Sequence, residues 1–242
     1  MKRIKQLLLF ICFPVSLLLG NENTEYKHSV EYYDNGVKKI ETWIPVKTTE
    51  SNMAFKRYYY KNSIIKKEGW LKNEKETGYW KQYYNNGVLM QEGWYKTGNK
   101  TGFWKQYYYN ENTKQEGNYS CGLKTGYWTF YFENGNIEKK GWFDNGDMDD
   151  YWTFYYSNGN LKSEGYYFKN EPVDWWKYYD NSGKIVEEGN IINGNKEGCW
   201  NYYFDEILYS RGCYEQGIKV GYWEEYNSNA ELISIINYTD DN

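Results

Sequence analysis

The chain has 242 residues, enough for one large domain or two small ones, with 30 Tyr, 12 Trp, 23 Gly, one His and a formal net charge of −4. Aromatic residues make up 21% of it, too many for a disordered chain, and the scarcity of Pro and lack of heptads exclude collagen-like and coiled-coil architectures. The acidic balance, more negative once Lys2, Arg3 and Lys5 are set aside, leaves no basic surface for a sequence-independent grip on nucleic acid.

Residues 1–20 read as a signal peptide. Lys2, Arg3 and Lys5 precede an apolar stretch from Leu7 to Leu19, broken by Pro14 and Ser16. That stretch is short of the roughly 20 residues a spanning helix needs. Cleavage near Gly20 predicts export to the periplasm or to the cell surface or medium, although an uncleaved anchor stays open. Residues 21–54 read as a degenerate first repeat or cap, with EYYDNGVKKIETW at Glu31 to Trp43. Phe55 then takes the place of a Trp ahead of Tyr58 and Tyr59.

Residues 55–226 are an array of tandem repeats. Trp80, Trp104, Trp128, Trp152, Trp176 and Trp200 stand 24 residues apart, and Trp223 follows after 23. Three residues after each comes a Tyr, from Tyr83 to Tyr226. Eleven residues before each comes a Gly: Gly69, Gly93, Gly117, Gly141, Gly165, Gly189 and Gly212. Asn86-Gly87, Asn134-Gly135 and Asn158-Gly159 signal one hairpin turn per unit. Gly98, Gly122, Gly146, Gly194 and Gly217, with Asn170, mark a second. Each unit is therefore two strands and two turns. It is too short to bury a core alone, so stacked neighbours must do so, each adding about 10 Å. Alternation puts Trp80, Gln82 and Tyr84 on one face and Tyr79, Lys81 and Tyr83 on the other. With aromatics on both faces, we expect one curved sheet, close-packed on one side and partly open for binding on the other. Residues 227–242 form a C-terminal cap and tail, where Ala230 replaces the turn Gly.

Two middle units depart from the pattern. Two positions before the Trp, Gly78, Gly102, Gly126, Gly198 and Gly221 give way to Asp150 and Asp174. Four positions before it, Lys100, Lys124, Lys196 and Lys219 give way to Met148 and Pro172. One edge of the array is thus expected to switch from basic to acidic. Asp147, Asp149, Asp150, Tyr151, Glu171, Asp174 and Trp175 form the candidate partner-binding patch. A basic partner, a cation and plain solvated turns are all open readings, though DNGDMDD, starting at Asp144, lacks EF-hand spacing and its closing Glu. Past the signal, Cys121, Cys199 and Cys213 remain. The last two fall on paired strands of one hairpin, where a disulfide or two thiols are both open.

Catalytic chemistry is sparse. His28 is the single His, and there is no P-loop or dinucleotide fingerprint. Glu92, Glu116, Glu164 and Glu188 recur at one register position, which points to scaffolding, such as pairing with lysines, rather than to one catalytic constellation. A non-enzymatic chain with no cofactor and no metal is expected.

The run N-G-x-x-x-x-E-G-x-Y-x-x-G-x-x-x-G-x-W-x-x-Y-Y is carried by Asn86-Gly87, Glu92-Gly93, Tyr95, Gly98, Gly102, Trp104 and Tyr107-Tyr108. It resembles the bacterial variant of the MORN repeat, over about Tyr32 to Tyr226. The resemblance implies an all-β, elongated, single-sheet antiparallel β-hairpin array, a solenoid or meander used for protein or lipid contacts. Some similar proteins are labelled antitoxins of toxin–antitoxin pairs, and there is a looser likeness to cell-wall and choline-binding repeats. The expected function is an exported scaffold that binds an unidentified protein through its aromatic face and acidic middle turns. The alternatives are a cell-envelope glycan binder or an antitoxin-like neutralising protein. Net acidity disfavours anionic bilayers. The oligomeric state is open, with the terminal strand edges available for pairing between chains.

Overall fold

A computed structural model describes residues 25–46 and 52–238. The signal segment, residues 47–51 of the N-terminal cap and residues 239–242 of the tail lie outside the described residues. Among the described residues there are eighteen β-strands and no helix. They fall into two compact units, one ending at Glu111 and one beginning at Asn112.

The first unit holds β1 (Tyr26–Tyr32), β2 (Lys38–Pro45), β3 (Met53–Tyr59), β4 (Ile65–Lys72), β5 (Lys75–Tyr83), β6 (Leu89–Lys96) and β7 (Asn99–Tyr107). The second holds β8 (Thr113–Ser120), β9 (Leu123–Tyr131), β10 (Ile137–Asp144), β11 (Asp147–Tyr155), β12 (Leu161–Phe168), β13 (Glu171–Tyr179), β14 (Ile185–Ile192), β15 (Asn195–Phe204), β16 (Ile207–Glu215), β17 (Ile218–Tyr226) and β18 (Leu232–Tyr238). Within each unit every strand pairs antiparallel with the next, so each is an open meander.

A sheet normally buries its apolar face under a second layer. Here the core is made differently. Each repeat Trp lies flat on the Gly eleven residues before it. A Cβ built on Gly141 would stand 2.3 Å from Cδ2 of Trp152, and the other six Gly–Trp pairs are as close to within 0.1 Å. These seven glycines do not have left-handed backbones, so the missing side chain is a steric requirement. None of the seven Trp is more than 3% exposed.

A bulge makes this geometry possible. In β11, Trp152 faces Gly141 and Asp149 faces Trp142, while Asp150 and Tyr151 have no partner on β10. The indole N–H then donates to the carbonyls beside the bulge, from Trp152 Nε1 to Trp142 O at 3.0 Å and to Asp149 O at 3.2 Å. The bond to the carbonyl ten residues back recurs at all seven Trp. Edge-on rings fill the gaps, as Tyr95 on Trp104 (4.9 Å), Tyr119 on Trp128 (5.0 Å), Phe143 on Trp152 (5.1 Å) and Tyr167 on Trp176 (5.2 Å).

After Trp80, Trp104 and Trp152 the Tyr three positions on is followed by a second Tyr. The second of the pair donates its hydroxyl to the backbone of the next repeat, as Tyr84 to Tyr107 O and Tyr156 to Tyr179 O. Asn side chains do the same at the turns, as Asn158 to Asn181 O. These bonds fix the repeat-to-repeat spacing. Cys199 and Cys213 are directly opposed on β15 and β16 and form a disulfide. Cys121 is free and exposed.

Two expectations need correction. Phe55 does not hold the Trp position. Lys56 faces Gly69 as Trp80 faces Gly93, so the Trp register falls on Lys56 and the following Tyr is Tyr59. Lys56 stands 24 residues before Trp80, so the period itself points to it, and Phe55 is an aromatic residue one position out of register. The lysines four before each Trp also do not form a solvated edge. Their ammonium groups lie over the indoles, Lys100, Lys124, Lys196 and Lys219 at 4.0, 4.4, 4.1 and 3.9 Å from the ring centroids. Their stems cover the rings while the ring faces attract the charge. Burial there pushes Lys100 down to about 8. Met148 and Pro172 therefore remove cations from the Trp face, not from an acidic rim.

Candidate binding surface

The face opposite the Trp column carries a second aromatic row. The residue before a repeat Trp lies across from the residue ten before the next Trp, and in several repeats both are aromatic. Tyr127 meets Trp142 at 5.6 Å and Tyr151 meets Tyr166 at 5.0 Å, both edge-on. With Trp175 these rings stand on five successive strands, β9 to β13, each 38–48% exposed. A contiguous set of half-exposed rings on one face is what marks a contact surface. The Cys199–Cys213 disulfide occupies the equivalent pair of positions two strands further on.

A ladder of carboxylates borders the row on one side. Five of the seven repeat Tyr three after the Trp donate to the Glu fifteen residues back: Tyr83 to Glu68 (3.0 Å), Tyr107 to Glu92 (2.8 Å), Tyr131 to Glu116 (2.7 Å), Tyr179 to Glu164 (2.6 Å) and Tyr203 to Glu188 (2.7 Å). The expected lysine partners are present but looser, Lys81 to Glu92 at 3.9 Å and Lys177 to Glu188 at 3.8 Å. Thr153 and Lys177, two residues beyond Tyr151 and Trp175, face Glu164 and Glu188, so the ladder runs along the same side of the sheet as the row. Lys140 interrupts it, with its ammonium 5.5 Å from the centroid of the Tyr155 ring.

Burial first, then the bond to a carboxylate, pushes Tyr131 and Tyr203 up to about 12 and raises Tyr179. A phenol whose folded pKa exceeds its unfolded value of about 10 holds its proton more tightly when folded. Its contribution is complete below pH 10 and is lost as pH rises toward the folded value. We expect the melting temperature to fall steeply between about pH 10 and 12, and to fall less in Tyr131→Phe and Tyr203→Phe. A pH profile unchanged in both variants would refute the ladder.

The acidic patch lies on the other side of the row. Asp150 and Asp174 are exposed and take the left-handed backbone (φ 59° and 58°) that Gly102 and Gly126 take elsewhere (61° and 67°). Asp tolerates that conformation better than most residues, and Gly better still. Glu171 is exposed at the start of β13. Asp147 is half-buried and accepts from the amide of Asn170, which serves the turn. Asp149 is half-buried opposite Trp142. Tyr151 and Trp175 belong to the aromatic row itself. From Asp144 to Asp174 there are seven carboxylates and two lysines. No group of three or more His, Cys, Asp or Glu among the described residues could hold a metal ion, so the cation reading has no support. Sequence reasoning missed Tyr127, Trp142 and Tyr166. Their signal was an aromatic directly before, or ten residues before, a repeat Trp, on the face that alternation assigns away from it.

Four stretches, residues 76–97, 124–146, 151–170 and 176–193, match the MORN repeat variant. No curated protein matches the chain. Among solved structures, a TcdB2–TccC3–TEV crystal structure is similar at 11% identity and a TM-score of 0.23, over 85% of this chain and 12% of that one.

Proposed function

We propose that this chain, a MORN-repeat protein, is an exported, non-enzymatic scaffold that holds a basic protein partner on the aromatic face of its second unit. The observation that carries the reading is the row Tyr127, Trp142, Tyr151, Tyr166 and Trp175, half-exposed and flanked by carboxylates. Tyr and Trp rings, with only two side-chain torsions each, offer contact area at little entropic cost. The carboxylates would select a cationic partner and give the contact a salt dependence.

The test is capture from the envelope fraction of the source organism on immobilised chain, with mass spectrometry of what is retained. Trp142→Ala and the double variant Asp150→Gly, Asp174→Gly should each lose the captured protein. Because Gly relaxes the left-handed backbone at 150 and 174, the double variant should melt at the same temperature as the parent or slightly higher. Undiminished capture by both variants would sink the patch. The same exposed rings also support stacking on sugars, so retained glycan is assayed in parallel. Glycan retention lost in Trp142→Ala but kept in the Asp variants would favour the envelope-glycan reading.

A further inference from the structure

Each strand that carries a repeat Gly is covered by a Trp from the strand that follows, and Glu precedes Gly in five of the seven such strands. Where no ring arrives, the Gly is gone. In β18, Ile236 faces Trp223 in the place of that Gly, and Ile235 faces Glu224 in the place of the Glu. The strand carries no charge from Leu232 to Tyr238 and is apolar on both faces. Leu232, Ile233, Ile235 and Ile236 are 51, 63, 57 and 37% exposed. Among the described residues, its far edge has no strand beside it. Exposed sheet edges are normally blunted by Lys, Pro or a bulge; β18 has no Lys or Pro, and its one bulge, at Ile233, lies at the turn end of the strand. The other terminal strand, β1, carries Lys27, His28 and Glu31.

We propose that β18 is a dimerisation edge, joining antiparallel to β18 of a second copy of this chain. A two-fold axis perpendicular to the sheet keeps each face on its own side, so only registers that oppose residues of the same face are allowed. In one such register Ile235 meets its own copy and Ser234 meets Ile236. No charge is opposed or buried. Head-to-tail pairing of β18 with β1 would instead set apolar residues against Lys27 and Glu31 and would not close. A second copy is therefore the occupant that the edge fits.

Light scattering after size exclusion, on the full chain, should give twice the monomer mass. Ile235→Lys, at an exposed position, should shift it to monomer with the melting temperature unchanged, because it places like charges across the new pair. A parent that is monomeric at its highest soluble concentration overturns the proposal, as does a dimer that persists in Ile235→Lys. A dimer that disappears in Cys121→Ser is a disulfide artefact of the exposed thiol and also overturns it. Open-ended growth would mean head-to-tail pairing and would do the same.

Discussion

Gly141→Ala is expected to destabilise the second unit by about 3 kcal/mol, the upper end of what overpacking costs. The new methyl group would stand 2.3 Å from Cδ2 and 2.5 Å from Cε2 and Cγ of Trp152. Those are ring atoms of a fully buried indole pinned by two hydrogen bonds, so the ring cannot swing aside without losing both. The backbone offers no compensating strain relief, since Gly141 is an ordinary strand residue and Ala would be accepted on conformational grounds alone. The chain supplies its own control. Thr42 and Ile236 hold the corresponding position in β2 and β18, where no repeat Trp lies above them, and there side chains are accommodated. Gly146→Ala makes a useful comparison, because that turn has φ 96° and the change should cost about 1 kcal/mol through strain rather than collision. Urea denaturation followed by Trp fluorescence reads both. Because a repeat array is coupled mainly to its neighbours, the loss should appear as early unfolding of the second unit. A loss at Gly141 no larger than at Gly146 would refute the stacked geometry.

Much of the fold was legible because the repeat is strict. The 24-residue Trp period, the Gly eleven residues earlier and the Asn-Gly turns gave the strand-turn-strand unit, and the structure places turns where those signals stand. The same register put Cys199 and Cys213 on paired strands and left the disulfide open, and the structure forms it. The reason for the glycines was not legible, because a one-dimensional pattern does not distinguish a Gly needed for backbone freedom from one needed for space. The same limit applied to the lysines. A Lys reads as solvent-facing, yet Lys124 and Lys196 share the parity of Trp128 and Trp200 and lie over those rings. Parity alone would have placed them, and the residue type argued the other way. The Phe55 assignment failed because it followed residue type, while the 24-residue period counted back from Trp80 falls on Lys56. At the binding surface, the charges of the middle units stood out against the repeat. The aromatic row did not, since rings at Tyr127, Trp142 and Tyr166 look like packing until exposure separates them from the buried column.

Trp152 carries the other large effect. Trp152→Ala should cost about 3–5 kcal/mol, as for other fully buried rings. Trp152→Phe keeps most of the apolar contact with Phe143 and Phe154 but leaves the carbonyls of Trp142 and Asp149 without the indole donor, a loss of about 1–3 kcal/mol. The gap between the two variants therefore separates packing from bulge capping. The two sites are also coupled in a way that gives the sharpest test of the architecture. In a Trp152→Ala background nothing stands over Gly141, so Gly141→Ala should become nearly neutral there, and the double variant should be about as stable as Trp152→Ala alone. A clash-based account requires that non-additivity. If the two losses simply sum, the Gly is serving something other than the ring, and the stacking rule that organises all seven repeats would have to be replaced.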